Sequence, residues 1–75
     1  MINEQEILLR LGQRLKQLRE EKGYSLRELE AHSHIDNSDL SKIERGQQKL
    51  TFITLCKIAQ GLEIPFTTLL DGFDL

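Results

Sequence analysis

One cysteine is present in 75 residues. That precludes an internal disulfide and fits a reducing compartment. No apolar run approaches the roughly 18 residues that a membrane helix needs. The opening stretch, MINEQEILLRLGQ, is acidic before it is apolar, the reverse of a secretory signal, so a cytoplasmic location is expected. No segment alternates with the two-residue period of a strand, and no internal repeat, low-complexity tract or linker breaks the chain. No nucleophile stands beside a base, no glycine-rich loop is built to cradle phosphate, and no catalytic pair of carboxylates is evident. An enzyme is therefore not expected. His32 and His34 lie two residues apart and Cys56 lies far along the chain, a poor tetrahedral set, so neither a metal nor a cofactor is expected. Positive charge is not in excess either: ten basic residues against twelve acidic ones leave a net charge of −2. Taken alone, that sum disfavours non-specific nucleic-acid binding.

The hydrophobic fraction of 39% and the charged fraction of 29% are ordinary for a folded soluble domain. The length suits one small domain, residues 1–75, which buries only about 60% of its unfolded surface and gains from a partner subunit. The charges are polarised along the chain. Arg10, Arg14, Lys16, Arg19, Lys22 and Arg27 face only Glu20, Glu21 and the nearby Glu28. Lys42, Arg45, Lys49 and Lys57 face Glu44 alone. Beyond residue 58 only acids occur: Glu63, Asp71 and Asp74.

Five helical segments are expected. In the first, about Asn3 to Lys22, Leu8, Leu11, Leu15 and Leu18 form one apolar stripe, and Gly23 ends the helix. Gly12 lies within that stripe at a cost of about 1 kcal/mol relative to Ala unless close packing explains it. The second begins at Ser25, where SLRE forms a capping box, turns Leu26 and Leu29 inward, and ends near Ser33. The third begins at Asp36, buries Leu40 and Ile43, and stops at Gly46. The fourth follows Thr51, with Phe52, Leu55, Ile58, Ala59 and Leu62 on its apolar face and Gly61 near its end. The fifth starts with Pro65, which suits a first helical turn, and carries Phe66, Leu69 and Leu70. Cys56 and Tyr24 are expected to pack partly against the core, Tyr24 as a lid, with a phosphate contact by its hydroxyl as the alternative. About three residues join the second and third helices. So short a joint forces a large interhelix angle, the geometry of a helix-turn-helix over about residues 25–46.

The stretches LGQRLKQLREEKGYSLREL, SKIERG and TLCKIAQGLEIPFTTLL resemble the Cro/phage-repressor type helix-turn-helix domain, the XRE family. The resemblance covers about four-fifths of the chain, residues 11–70, and QQKLTFITLCKIAQGLEI is similar to small controller proteins of restriction–modification systems. It implies an all-α, compact five-helix, lambda-repressor-like fold that binds double-stranded DNA. It also implies an inward salt bridge between Arg19 and Glu44, which makes ERG a structural signature. Asn37, Ser38 and Lys42, with Ser41 as a weaker candidate, fall where side chains enter the major groove. Ser25, Arg27, Arg45, Gln47, Gln48 and Lys49 fall at or near positions that hold phosphates. Four departures from the family pattern stand out. Glu30 replaces the usual Ala at the contact between the second and third helices, so that its longer side chain must slide outward or widen the angle. His34 replaces the usual turn Gly. Leu26 stands where many members touch DNA with Gln. Asp39 adds an anion to the recognition helix.

Elementary chemistry agrees with this assignment. Residues 37, 38, 41 and 42 share the helix face opposite Leu40 and Ile43. Asn can bond an adenine edge twice, Lys can donate to guanine O6 and N7, and Ser can serve either base. The amides of Leu26 and Arg27 lie at a positive dipole end, a natural phosphate seat. Asp36 and Asp39 have a local explanation as cap and first-turn anion, with repulsion of DNA or acceptance from a cytosine amine as the alternative. Phe66, Leu70, Phe73 and Leu75 are candidates for a two-fold dimer interface, with the tail 71–75 as a candidate contact, because little chain remains to cover the last two. The expected function is a sequence-specific transcriptional regulator that acts as a homodimer on an inverted repeat, by occlusion or by contact with RNA polymerase. The alternative is a protein-binding module on the same fold, such as an antitoxin or anti-repressor partner, favoured by the net negative charge and the aspartates of the third helix.

Overall fold

Each of the first four helices starts where a side-chain oxygen takes an amide that no helical carbonyl can reach. In the computed structural model, which describes residues 3–74, Asn3 accepts from the Glu6 amide at 2.8 Å and opens α1, Glu4–Lys22. Ser25 opens α2, Leu26–Ser33, by a reciprocal pair of bonds. Its Oγ accepts from the Glu28 amide at 3.1 Å, and the Glu28 carboxylate accepts from the Ser25 amide at 2.9 Å. Asp36 opens α3, Asn37–Glu44, and Thr51 opens α4, Phe52–Leu62, by the same device. Pro65 precedes α5, Phe66–Leu69, which has no side-chain cap. The helices thus start within a residue of the positions expected from sequence, and no strand forms among the described residues.

The inward faces of the helices meet in one apolar cluster. Leu11, Leu15 and Leu18 of α1, Leu29 of α2, Leu40 and Ile43 of α3, Ile58, Ala59 and Leu62 of α4, and Leu69 of α5 are its buried members. At roughly 1.5–3 kcal/mol for each large side chain buried, this cluster is the main favourable contribution to folding. α2 packs on α4 and α3, and α1 packs on α3. Two apolar expectations are corrected. Phe52 is 63% exposed and not inward; it begins α4 at the margin of the cluster, where its ring meets Phe66, centroids 4.9 Å apart. Phe73, expected to lack cover, packs partly against the cluster. Leu8 is only half-buried, at the edge of the α1 stripe.

Two glycines set how closely the helices approach. A Cβ on Gly12 would lie 2.5 Å from the carbonyl oxygens of both Ile43 and Glu44, so the end of α3 rests directly on the backbone of α1. That contact accounts for a helix-weakening residue inside the apolar stripe. A Cβ on Gly61 would lie 2.9 Å from the Cβ of Ser33, where α4 crosses the end of α2. Between α2 and α3, His34 adopts φ 62° and ψ 29°, the left-handed conformation that a turn glycine would take freely. His34 holds it as the C-terminal cap of α2, donating its amide to the Glu30 carbonyl at 2.9 Å.

Candidate nucleic-acid interface

The exposed face of α3 is held by contacts on its other side. Arg19 Nε donates to Glu44 Oε2 at 2.7 Å and Nη2 donates to Oε1 at 3.0 Å, a two-pronged pair whose side chains are only 11% and 7% exposed. Arg19 Nη1 also donates to the Tyr24 carbonyl at 2.8 Å, tying α1, the first turn and α3 at one point. The hydrogen bond to Glu44 raises the Arg19 guanidinium above its ordinary value, against the opposing effect of burial. With Gly12 beneath it and this pair at its end, α3 has little freedom to roll.

On the opposite face the structure brings Asn37, Ser38, Ser41 and Lys42 together along the first two turns of α3. Ser38 and Lys42 are exposed, and Asn37 and Ser41 are half-buried. Ser25 and Arg27 are exposed at the start of α2. The amides of Leu26 and Arg27 precede the first intrahelical bond, Leu29 N–H to the Ser25 carbonyl at 3.0 Å. Glu28 already supplies an anion at that end. Bonds from the Ser25 amide and then its hydroxyl hold the Glu28 carboxyl below its ordinary value. Leu26 packs partly against the core. Arg45 and Gln47 are exposed and Gln48 is half-buried in the loop after α3.

Much of the positive charge seen in the sequence is engaged within the fold. Lys49 Nζ lies 2.7 Å from Glu4 Oε1, and Glu4 raises the ammonium above its ordinary value. Arg10 pairs with Glu6 at 3.7 Å and donates to the Asp74 carbonyl at 2.9 Å. Arg14 donates to the Thr68 carbonyl at 2.8 Å and to the Leu69 carbonyl at 3.3 Å, closing the end of α5. Arg45 Nε folds back on the Ser41 carbonyl at 3.3 Å.

Sequence reasoning missed two arrangements here. Glu30, expected to slide outward or widen the angle between the second and third helices, has partners in the turn. It reaches across the turn and accepts from Asn37 twice, from the backbone amide at 3.2 Å and from Nδ2 at 3.0 Å. Asp36 caps α3 as expected, accepting from the Ser38 amide at 2.8 Å, and what was missed is that it also accepts from the Ser38 hydroxyl at 2.6 Å. Those bonds, the hydroxyl first, hold the Asp36 carboxyl below its ordinary value. The seven-residue spacing across a three-residue turn was the available signal for Glu30. Tyr24, besides packing on the core, stacks on His32 with centroids 4.8 Å apart and planes 4° from parallel.

The profile of the helix-turn-helix domain matches residues 12–75. The chain belongs to that family. This helix-turn-helix chain is 47% identical over 62 residues to the HTH-type transcriptional regulator SinR of Bacillus subtilis, an alignment covering 81% of it and 56% of SinR. The chain thus spans little more than half of SinR, and it spans 34% of a related HTH-type regulator of Escherichia coli. Among solved structures it superimposes on the restriction–modification controller protein C.AhdI of Aeromonas hydrophila with a TM-score of 0.80 at 37% identity, over 83% of this chain and 94% of that one. It also superimposes on the controller protein C.Esp1396I, a tetramer in complex with its natural 35 base-pair operator, with a TM-score of 0.83 at 30% identity, over 88% and 87% of the two chains.

Away from α3, Phe66 is half-buried, Leu70 is 38% exposed, and Phe73 is half-buried against the core of the helix-turn-helix domain. Leu75, the remaining candidate for a dimer contact, lies outside the described residues. His32, His34 and Cys56 are not drawn together: among the described residues no group of three or more His, Cys, Asp or Glu side chains gathers to hold a metal ion. No helix of the described residues is long and apolar enough to cross a membrane.

Proposed function

We propose that this chain is the DNA-reading part of a sequence-specific transcriptional regulator that acts as a homodimer on an inverted-repeat operator. The observation that carries this reading is the presentation of Asn37, Ser38 and Lys42 on the open face of α3, the opposite face being fixed by Gly12 and the Arg19–Glu44 pair. A rigid polar face at the start of the second helix of such a motif matches the width and hydrogen-bonding code of the major groove. The operator complex of C.Esp1396I and the regulators akin to SinR support the same reading. Asn37, Ser38, Ser41 and Lys42 would contact bases. Ser25, Arg27, Arg45, Gln47, Gln48 and Lys49 would hold phosphates, Lys49 by exchanging Glu4 for a phosphate oxygen. Phe66, Leu70, Phe73 and Leu75 would lie at the two-fold interface, spacing the two recognition helices about 34–36 Å apart.

Selection from a random oligonucleotide pool at several salt concentrations tests this. The expected result is an enriched inverted repeat whose affinity falls steeply with salt. A pool with no enriched motif and no salt dependence overturns the reading and leaves a protein-binding module as the explanation of the fold. Replacing Asn37 and Lys42 together with Ala should abolish enrichment while the helical signal is retained.

A further inference from the structure

We infer that Glu30 and Asp36 act as positioning residues, Glu30 matching Asn37 to adenine and Asp36 restricting Ser38 to the bases that present an exocyclic amine in the major groove, adenine or cytosine. This rests on the DNA-reading function proposed above and adds the chemistry of the bases selected.

An ionised carboxylate only accepts hydrogen bonds, so whatever faces it must be a donor. Glu30 Oε1 therefore fixes the Asn37 amide with its nitrogen turned toward α2, and Glu30 Oε2 secures the same residue by its backbone amide. One of the two Nδ2 hydrogens is thereby committed. The carbonyl oxygen and one N–H remain, an acceptor and a donor side by side. Adenine offers the complement in the major groove, an amine at N6 and an acceptor at N7.

Ser38 is restricted more strongly. A free hydroxyl serves either kind of base because its hydrogen rotates to suit. Here that hydrogen is committed to Asp36 Oδ1 at 2.6 Å, in the range of short charge-assisted bonds. Only lone pairs remain for a base edge. Adenine N6 and cytosine N4 can donate to them, whereas guanine, which presents acceptors at both N7 and O6, is repelled. The capping bond from the Ser38 amide holds Asp36 in place at 2.8 Å, so the restriction is built into the start of the helix. Lys42, with donors alone, keeps the opposite preference, for guanine.

Selected motifs of the wild-type protein and of Asn37→Ala and Ser38→Ala locate the positions that each residue reads. Adenine at the Asn37 position, and adenine or cytosine at the Ser38 position, is the expected result. Glu30→Ala should cut discrimination at the Asn37 position by about tenfold, the size expected for losing a charge-assisted hydrogen bond. At the same time it should tighten binding to unrelated DNA, because an anion near the groove is removed. A merely structural role for Glu30 would weaken both, and a merely electrostatic one would leave the motif sharp. Glu30→Gln retains an oxygen that can accept from Asn37 and should keep most of the preference. It serves as the second variant should Glu30→Ala lose its helical signal. Guanine at either position, or an unchanged motif in Glu30→Ala, overturns this inference while sequence-specific binding stands. A wild-type pool with no enriched motif overturns the DNA reading and this inference together.

Discussion

Replacing Gly12 with Ala should destabilise the protein, although helix propensity alone forecasts the opposite. In an exposed helix interior, Gly→Ala gains about 1 kcal/mol. At this position the new methyl would lie 2.5 Å from two carbonyl oxygens of α3 and 2.8 Å from the Glu44 carbonyl carbon. Real carbon–oxygen contacts need roughly an ångström more, and the obstructing atoms are backbone, which cannot rotate aside as a side chain could. The helices must separate, and Arg19 and Glu44 separate with them. Overpacking of this kind costs about 1–3 kcal/mol. Strain of that size added to a weakened two-pronged ion pair exceeds the propensity gain, and a net loss of about 1–2 kcal/mol is expected. For a domain of this size that lowers the melting temperature by roughly 5–15 °C. Thermal melts followed by circular dichroism at 222 nm, with urea titrations at 25 °C, measure it. A Gly12→Ala protein that melts at or above the wild-type temperature would refute the close-approach argument for the α1–α3 joint.

Two further perturbations test other joints. His34→Gly should stabilise the protein by about 0.5–1 kcal/mol, because the left-handed backbone at φ 62° costs an L side chain energy that Gly avoids, less the entropy Gly adds to the unfolded chain; a urea midpoint that stays unchanged or falls removes strain from the account of this turn. Asp36 and Glu28 have folded-state pKa values below their ordinary ones, Asp36 chiefly through the Ser38 hydroxyl and Glu28 chiefly through the Ser25 amide. The unfolded chain therefore takes up these protons first. Their contribution is present in full above the ordinary carboxylate range and is lost as pH falls through the depressed folded values. The urea midpoint should drop as pH is lowered from about 5 toward 2.5, and it should drop less in an Asp36→Ser, Glu28→Gln protein; equal drops would contradict the assigned bonds.

The first four helix starts were legible in the sequence because each depends on residues within three positions of one another: Asn3 and Glu6, Ser25 and Glu28, Asp36 and Ser38, Thr51 and Thr54. The leucines of α1 were legible for the same reason, since helical spacing alone brings Leu11, Leu15 and Leu18 to one face. Phe52 was not, because periodicity assigns a face but does not say whether a neighbouring helix extends far enough to cover the first residue on it. Within the candidate site, the residues of α3 could be named from the motif, but the partners that orient them could not. The reach of Glu30 to Asn37 depends on the angle between two helices, and the pairing of Lys49 with Glu4 spans 45 positions of sequence. Net charge misleads for the same reason. Arg10, Arg14 and Lys49 count as cations in the composition, yet the fold has turned them toward its own carbonyls and carboxylates.

The arginines of α1 that bond α5 and the segment after it have a consequence for how the protein is made. α5 has four residues, too few to hold a helix by themselves. Its terminal carbonyls are satisfied by Arg14, and the Asp74 carbonyl by Arg10, across 54 to 64 positions of chain. α1 leaves the ribosome ahead of the other four helices, and it therefore waits for α5 before either is complete. Until residues 68–74 emerge, the side chains of Arg10 and Arg14 lack these carbonyl partners. Afterward these two distant segments should open and close as one cooperative unit in hydrogen exchange.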